Sequence, residues 1–285
     1  MTTSTATHHT YGFADDHPIS LELRHHHGDV AVVLDAPEGT AEVTLSSTAP
    51  LDLGPVTAGC HRGRVSIDIP ALVDPEGGRG FSFSLGSFSL GSGAVPVHVE
   101  VHLPHGADVD VSTKRGDIVL QGVSGVTRVR SGSGDLSLEE TGRLRAATGS
   151  GDVRVGTMTE GSLTTGSGDL ELRTATGPGP LEVRSGSGDV TLASTHQDVT
   201  VATGSGDVVA HAGSGRFSAR TGTGDVQVSV PRGLPVWLDL SSGTGEVRRD
   251  IDHLGAPEEG QAHLEVSVRT GTGDITVRHA ASAPA

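Results

Sequence analysis

Apolar and polar residues alternate along most of this chain, in short runs broken by glycine. Pro18-Ile-Ser-Leu21-Glu-Leu23, Ala41-Glu-Val43-Thr-Leu45, Arg64-Val65-Ser-Ile67-Asp-Ile69 and the stretch from Val95 to Leu103 place apolar residues at every second position. Strand side chains two apart share a face, so this period of two predicts half-buried β-strands. No segment carries the period of a helix. Residues 1–14 are polar and read as a flexible tail, and 280–285 as another.

From residue 111 the alternation locks to a repeated phrase: a hydroxyl residue, a glycine-rich turn, an acid, then two apolar residues. The acids are Asp117, Asp135, Asp152, Asp169, Asp189, Asp207, Asp225, Glu246 and Asp274, spaced by 18, 17, 17, 20, 18, 18, 21 and 28 residues. Apolar residues fall one and three places after the acid, as in Leu136 and Leu138 or Val190 and Leu192. They also fall six places before it, as in Ala146, Leu163, Val183 and Val201. A near-constant period of this size is the signature of stacked coils. The expected fold is all-β: a single-stranded β-helix or β-solenoid with rungs of about 18 residues over 111–279. Residues 15–110 form an N-terminal β region that caps the stack, with a loop at 75–93. Gly28-Asp29-Val30 looks like a degenerate first copy of the turn.

Four places before each acid stands a hydroxyl: Thr113, Ser131, Thr148, Thr165, Ser185, Thr203, Thr221, Ser242 and Thr270. It has the parity of the apolar columns, so it faces inward, where it can bond a neighbouring rung's backbone. The first glycine is expected to supply the unusual backbone dihedral and the second to bring the acid tight against the turn. Carboxylates one rung apart repel by roughly 1 kcal/mol per pair in water. Each acid answers this by accepting amides of its own turn, as Asx-turn residues do. The alternative is a bound calcium. Calcium-binding β-rolls, however, carry an acid on every half-coil in a nonapeptide pattern, and this chain carries one per coil.

Composition narrows the functions. The 285 residues carry a formal charge of −15, only 2% aromatics and one cysteine, Cys60. Such an acidic, aromatic-poor surface suits neither nucleic-acid backbone nor base stacking. The N-terminus lacks a secretory signal and no run is long and apolar enough to span a membrane, so a cytoplasmic location is expected. Arg130, Arg184, Arg220 and Arg269 point outward as a solvated stripe. His98, Glu100 and His102 share one strand face, a candidate metal set whose plain alternative is a polar sheet face. No catalytic residue, metal site or cofactor is assigned: Cys60-His61 is only an adjacency, and the Gly-Ser-Gly triplets are corners rather than nucleophile elbows. Phe81, Phe83 and Phe88 stand in a Gly/Ser-rich insertion and form a candidate interaction loop, with capping of the stack as the other role.

The run from Leu234 through Trp237, Leu240, Glu246 and Asp250 to Asp252, followed by Val266-Ser-Val-Arg-Thr-Gly-Thr-Gly-Asp274-Ile-Thr-Val277, resembles the C-terminal signature of an uncharacterised bacterial family common in actinobacteria. Its members are described as β-strand-repeat-containing proteins or candidate adhesins, and the likeness covers about residues 12–279. It implies a β-helix-like fold without established activity. The expected function is a non-enzymatic scaffold or protein-interaction module, with self-association end to end as one form. The alternatives are a surface adhesin, then a calcium- or metal-binding β-roll. An enzyme with an acidic cleft ranks last. Glu246, Arg249 and the acidic stretch 250–259 depart from the repeat and read as a capping coil.

Overall fold

The computed structural model describes residues 5–72, 83–85, 88–90, 95–252 and 263–280. All its regular structure is strand, and no helix occurs among the described residues. None, therefore, is long and apolar enough to cross a membrane. The chain forms two compact units, Met1–Gly134 and Asp135–Ala285. The division falls at 134 rather than near 110 because Asp108–Arg115 pairs in parallel with both Ser20–His27 and Thr127–Ser133. The first repeats thus belong with the N-terminal strands.

In the N-terminal unit, Val65, Leu21, Val109 and Thr127 are successive register partners, and all four are buried. Val99, Val30 and Ile118 form a second buried file. Burying a Val, Leu or Ile side chain contributes about 1.5–3 kcal/mol, so files of small branched residues stabilise a narrow interior without aromatics. Three strands of the main sheet pair differently. Thr57–His61 lies antiparallel on Arg64–Ile69, Thr40–Asp52 on His98–Pro104, and Thr5–Ala14 on Thr40–Asp52.

That last strand corrects the expectation of a tail reaching residue 14. Its threonines, Tyr11 and Phe13 favour extended backbone, and the edge of Thr40–Asp52 supplies the hydrogen bonds. Tyr11 and Phe13 stack at 6.5 Å, and the Thr10 and Thr44 hydroxyls meet at 3.0 Å.

In the second unit, strands of successive repeats pair in parallel. One file runs Leu136, Val153, Leu170, Val190, Val208, Val226. The facing file runs Ala146, Leu163, Val183, Val201, Ala219. The stacking order then departs from chain order. Leu264–Thr272 pairs with Gly215–Thr223 on one side and with Val236–Thr244 on the other. Ile275 likewise sits between Val226 and Val247. The coil 236–250 therefore lies outermost, and its inward residues Val236, Leu238, Leu240 and Val247 are only half-buried.

Candidate functional site

The acidic corner is built from three neighbouring positions. The inward hydroxyl comes first and is buried: Thr165 is 2% exposed and Thr148 5%. Its hydrogen bond takes one of two forms, except at Ser185, whose buried hydroxyl has no partner among the described residues. Thr113, Thr148, Thr203 and Thr221 donate to a carbonyl two residues on in their own turn. Ser131, Thr165, Ser242 and Thr270 donate instead to a glycine carbonyl of the adjoining coil. Either bond satisfies a polar group placed among apolar files.

The glycines follow, with roles opposite to those expected. The second carries the unusual dihedral: φ is 135° at Gly168 and 134° at Gly188. The first needs no positive φ; it is small because the neighbouring backbone is close. A Cβ on Gly166 would lie 2.4 Å from the Gly149 carbonyl oxygen, and one on Gly168 would lie 2.2 Å from that of Gly151.

The acid completes the corner, and here the expectation of an own-turn bond is corrected. Asp135 Oδ1 accepts the backbone N–H of Asp152 at 2.8 Å. The same bond continues through Asp169, Asp189, Asp207, Asp225, Asp274 and Glu246, at 2.7–2.9 Å. In the N-terminal unit, Asp117 N–H donates to Asp29 Oδ1 at 3.0 Å, so the degenerate Gly28-Asp29 turn is a working copy. The N–H that follows the second glycine points along the stack to the carboxylate of the adjoining coil. Each aspartate with such a bond thus fastens a neighbouring coil, while Glu246, on the outermost coil, donates its N–H and, among the described residues, accepts only from Arg248.

Repulsion along the column is offset by these N–H dipoles and, locally, by arginines. Arg154 donates to Asp152 at 2.6 Å and lies 3.8 Å from Asp135, and Arg248 donates to Glu246 at 2.6 Å. The looser corner repeats the device in a form the spacing did not flag. Asp108 accepts from Val126 N–H at 2.8 Å and Asp198 from Arg216 N–H at 2.9 Å. An acid at the start of a strand, 18 positions ahead of its donor, was the available signal.

The other candidates separate. His102 Nδ1 lies 2.7 Å from Asp35 and its Nε2 3.4 Å from Glu100, while His98 turns to Asp29 at 3.3 Å. The hydrogen bond to Asp35 raises the His102 pKa above the ordinary histidine value. These are local pairs, and among the described residues no group of three or more His, Cys, Asp or Glu is arranged to hold a metal.

Burial, with Asp15 nearby, raises the Cys60 thiol, which disfavours the thiolate a nucleophile needs. Of the outward arginines, Arg184 bonds Glu182 and Arg269 bonds Asp239. Phe81 lies outside the described residues, as do 253–259 of the acidic stretch. Phe83–Leu85 and Phe88–Leu90 pair as an antiparallel hairpin.

Two further residues stand out, His25 and Trp237. His25 occupies the inward hydroxyl position, 5% exposed, with Nε2 on the Val97 carbonyl at 2.9 Å. Burial lowers its pKa to about 4. Trp237 is 67% exposed on the outermost coil.

A family model described as Toastrack DUF4097 matches residues 97–278, well over half of the chain. None of the curated proteins matches it significantly in sequence. Among solved structures, a candidate lipid-binding protein from Parabacteroides distasonis ATCC 8503 is similar in fold, with TM-score 0.54 and 10% identity over 95% of this chain and 97% of that one. A candidate adhesin from Parabacteroides merdae ATCC 43184 gives TM-score 0.50 and 11% identity over 96% and 97%.

Proposed function

The chain belongs to the Toastrack DUF4097 family, and on that premise we propose that it is a non-enzymatic, solenoid-like scaffold that acts by binding a protein partner. About 18 residues make one rung, and the antiparallel strands of the N-terminal unit close that unit's own stack. One observation carries the reading. The most conspicuous chemical feature, the acidic column, has one oxygen of each bonded carboxylate committed to the backbone of the next coil. The repeats therefore supply rigidity, and contact is left to residues that break the pattern.

The name of the fold neighbour from P. merdae favours a second form of the same role, adhesion at a cell surface. Affinity capture from native lysate tests the scaffold reading, with a variant lacking residues 76–92 as comparison. A partner held in fixed ratio by the full chain supports it, and its loss from the variant places the contact on the insertion. Absence of any partner in fixed ratio sinks it. Fractionation of host cells separates a cytosolic scaffold from a surface adhesin.

A further inference from the structure

Large apolar side chains are rarely exposed on the described surface: Val209 at 44% and Trp237 at 67% are the two cases. Trp237 is also the single tryptophan of the chain. It stands on Val236–Thr244 with the outward parity of Asp239 and Ser241, so its exposure does not come from a fold that failed to bury an inward residue. No described contact requires a tryptophan there.

What surrounds it is ordered by the parallel register. Arg216, Glu265 and Trp237 form one row across three adjoining strands, and Ser218, Ser267 and Asp239 form the next. A cavity of about 220 Å³ opens beside the indole, lined by Arg216, Trp237, Asp239, Glu265, Val266 and Ser267. An apolar cavity of about 150 Å³ is enough for one six-membered ring, so this one admits a single ring with part of it in solvent.

The polar groups of the cavity are held in place. Arg216 Nε donates to Glu265 Oε2 at 2.6 Å. Asp239 Oδ2 accepts from Arg269 at 3.2 Å and from the Ser267 hydroxyl at 3.4 Å. Each carboxylate already has its arginine, so the site has nearly balanced charge. A cationic ligand would meet Arg216 and Arg269, and an anionic one would meet Asp239, Glu265 and the acidic chain as a whole. A purely apolar ligand would strand both ion pairs. The fitting ligand is neutral, with one apolar face for the indole and hydroxyls that can both donate to the carboxylates and accept from the guanidinium groups.

We propose that Trp237, Arg216, Asp239 and Glu265 form a binding site for a neutral carbohydrate ring, stacked on Trp237 at the outermost coil. This goes beyond the scaffold reading, which needs no small ligand. The two fail separately: partner capture does not depend on sugar binding.

Because Trp237 is the single tryptophan, intrinsic tryptophan fluorescence reports on this site alone. The full chain is titrated with cellotetraose, maltotetraose and chitotetraose in turn. At least one is expected to give a saturable change in emission. Asp239→Ala should weaken that response about tenfold or more, in line with loss of a charge-assisted hydrogen bond. Calorimetry on Trp237→Ala should show binding abolished with the melting temperature unchanged, since the removed side chain is exposed. Absence of a saturable response to all three sugars overturns the proposal, as does undiminished binding by Trp237→Ala.

Discussion

Replacing His25 with threonine is expected to remove much of the acid sensitivity of the N-terminal unit. His25 takes the place that Thr113 takes in the adjoining strand, its register partner, with Ile69 on the other side. The imidazole is neutral when buried there. Desolvation is the main cause that lowers its pKa from 6.5 to about 4, with further lowering from His26 and His27, while bonds to the backbone at Val97 and His27 act the other way.

A histidine whose folded pKa lies below its unfolded one leaves stability intact above pH 6.5, and stability falls as pH drops toward the folded pKa. At 1.36 kcal/mol per unit, the full loss is about 3 kcal/mol, of which about 2.5 kcal/mol is reached by pH ~4.5. The assay is urea unfolding followed by circular dichroism at about pH 7.5 and about pH 4.5, on the parent and on His25→Thr. Carboxylates contribute to both proteins and cancel in the difference of differences. The parent should lose about 2.5 kcal/mol more than the variant. Equal losses within about 0.5 kcal/mol would refute the argument that His25 is the acid-sensitive group.

Further outcomes are expected at three positions. Asp189→Ala should destabilise the second unit by about 1–2 kcal/mol, because the Asp207 N–H loses a charged acceptor. Asp189→Asn, which keeps an oxygen in place and removes one charge, should cost less than half of that in urea unfolding. Gly188→Ala combines a φ of 134° with a Cβ placed 2.1 Å from the Gly168 carbonyl oxygen, so a loss above about 3 kcal/mol or failure to fold is expected. Arg249→Val should produce dimers by light scattering at concentrations where the parent is a monomer. Arg249 is the register partner of the buried Val277 yet is itself exposed. An inward-facing charge on an edge strand of this kind keeps edges from pairing.

The inward files were legible because Leu163, Val183 and Val201 recur at one offset from the corner acid, and that offset is the register itself. The corner was legible as a corner but not as a fastening. A carboxylate beside a glycine turn can bond its own amides or a neighbour's, and which one wins depends on the backbone geometry of the turn, which the letters do not state. Thr5–Ala14 was missed since its pairing is by backbone to an edge strand, leaving mostly exposed side chains and no apolar stripe. Trp237 escaped as a site because strand parity marks a residue as outward without saying what its neighbours in other strands will be. Those neighbours come from coils 215–223 and 264–272, and the order of these coils could not be read.

That order has a consequence for how the molecule is made. The coil 236–250 leaves the ribosome before residues 264–279, yet those later residues provide its only described register partners in other coils. Folding therefore cannot advance coil by coil to the end of this unit. Until the last strands emerge, the edge of Gly215–Thr223 stands open, and Val236, Leu238 and Leu240 of the earlier coil match the inward Leu264, Val266 and Val268 of its rightful occupant. The final strands must enter between two segments already made. A nascent chain halted before Leu264 would lack the partner strands on which the coil 236–250 depends, so interrupted synthesis and completed synthesis would yield different surfaces for chaperones and proteases to distinguish.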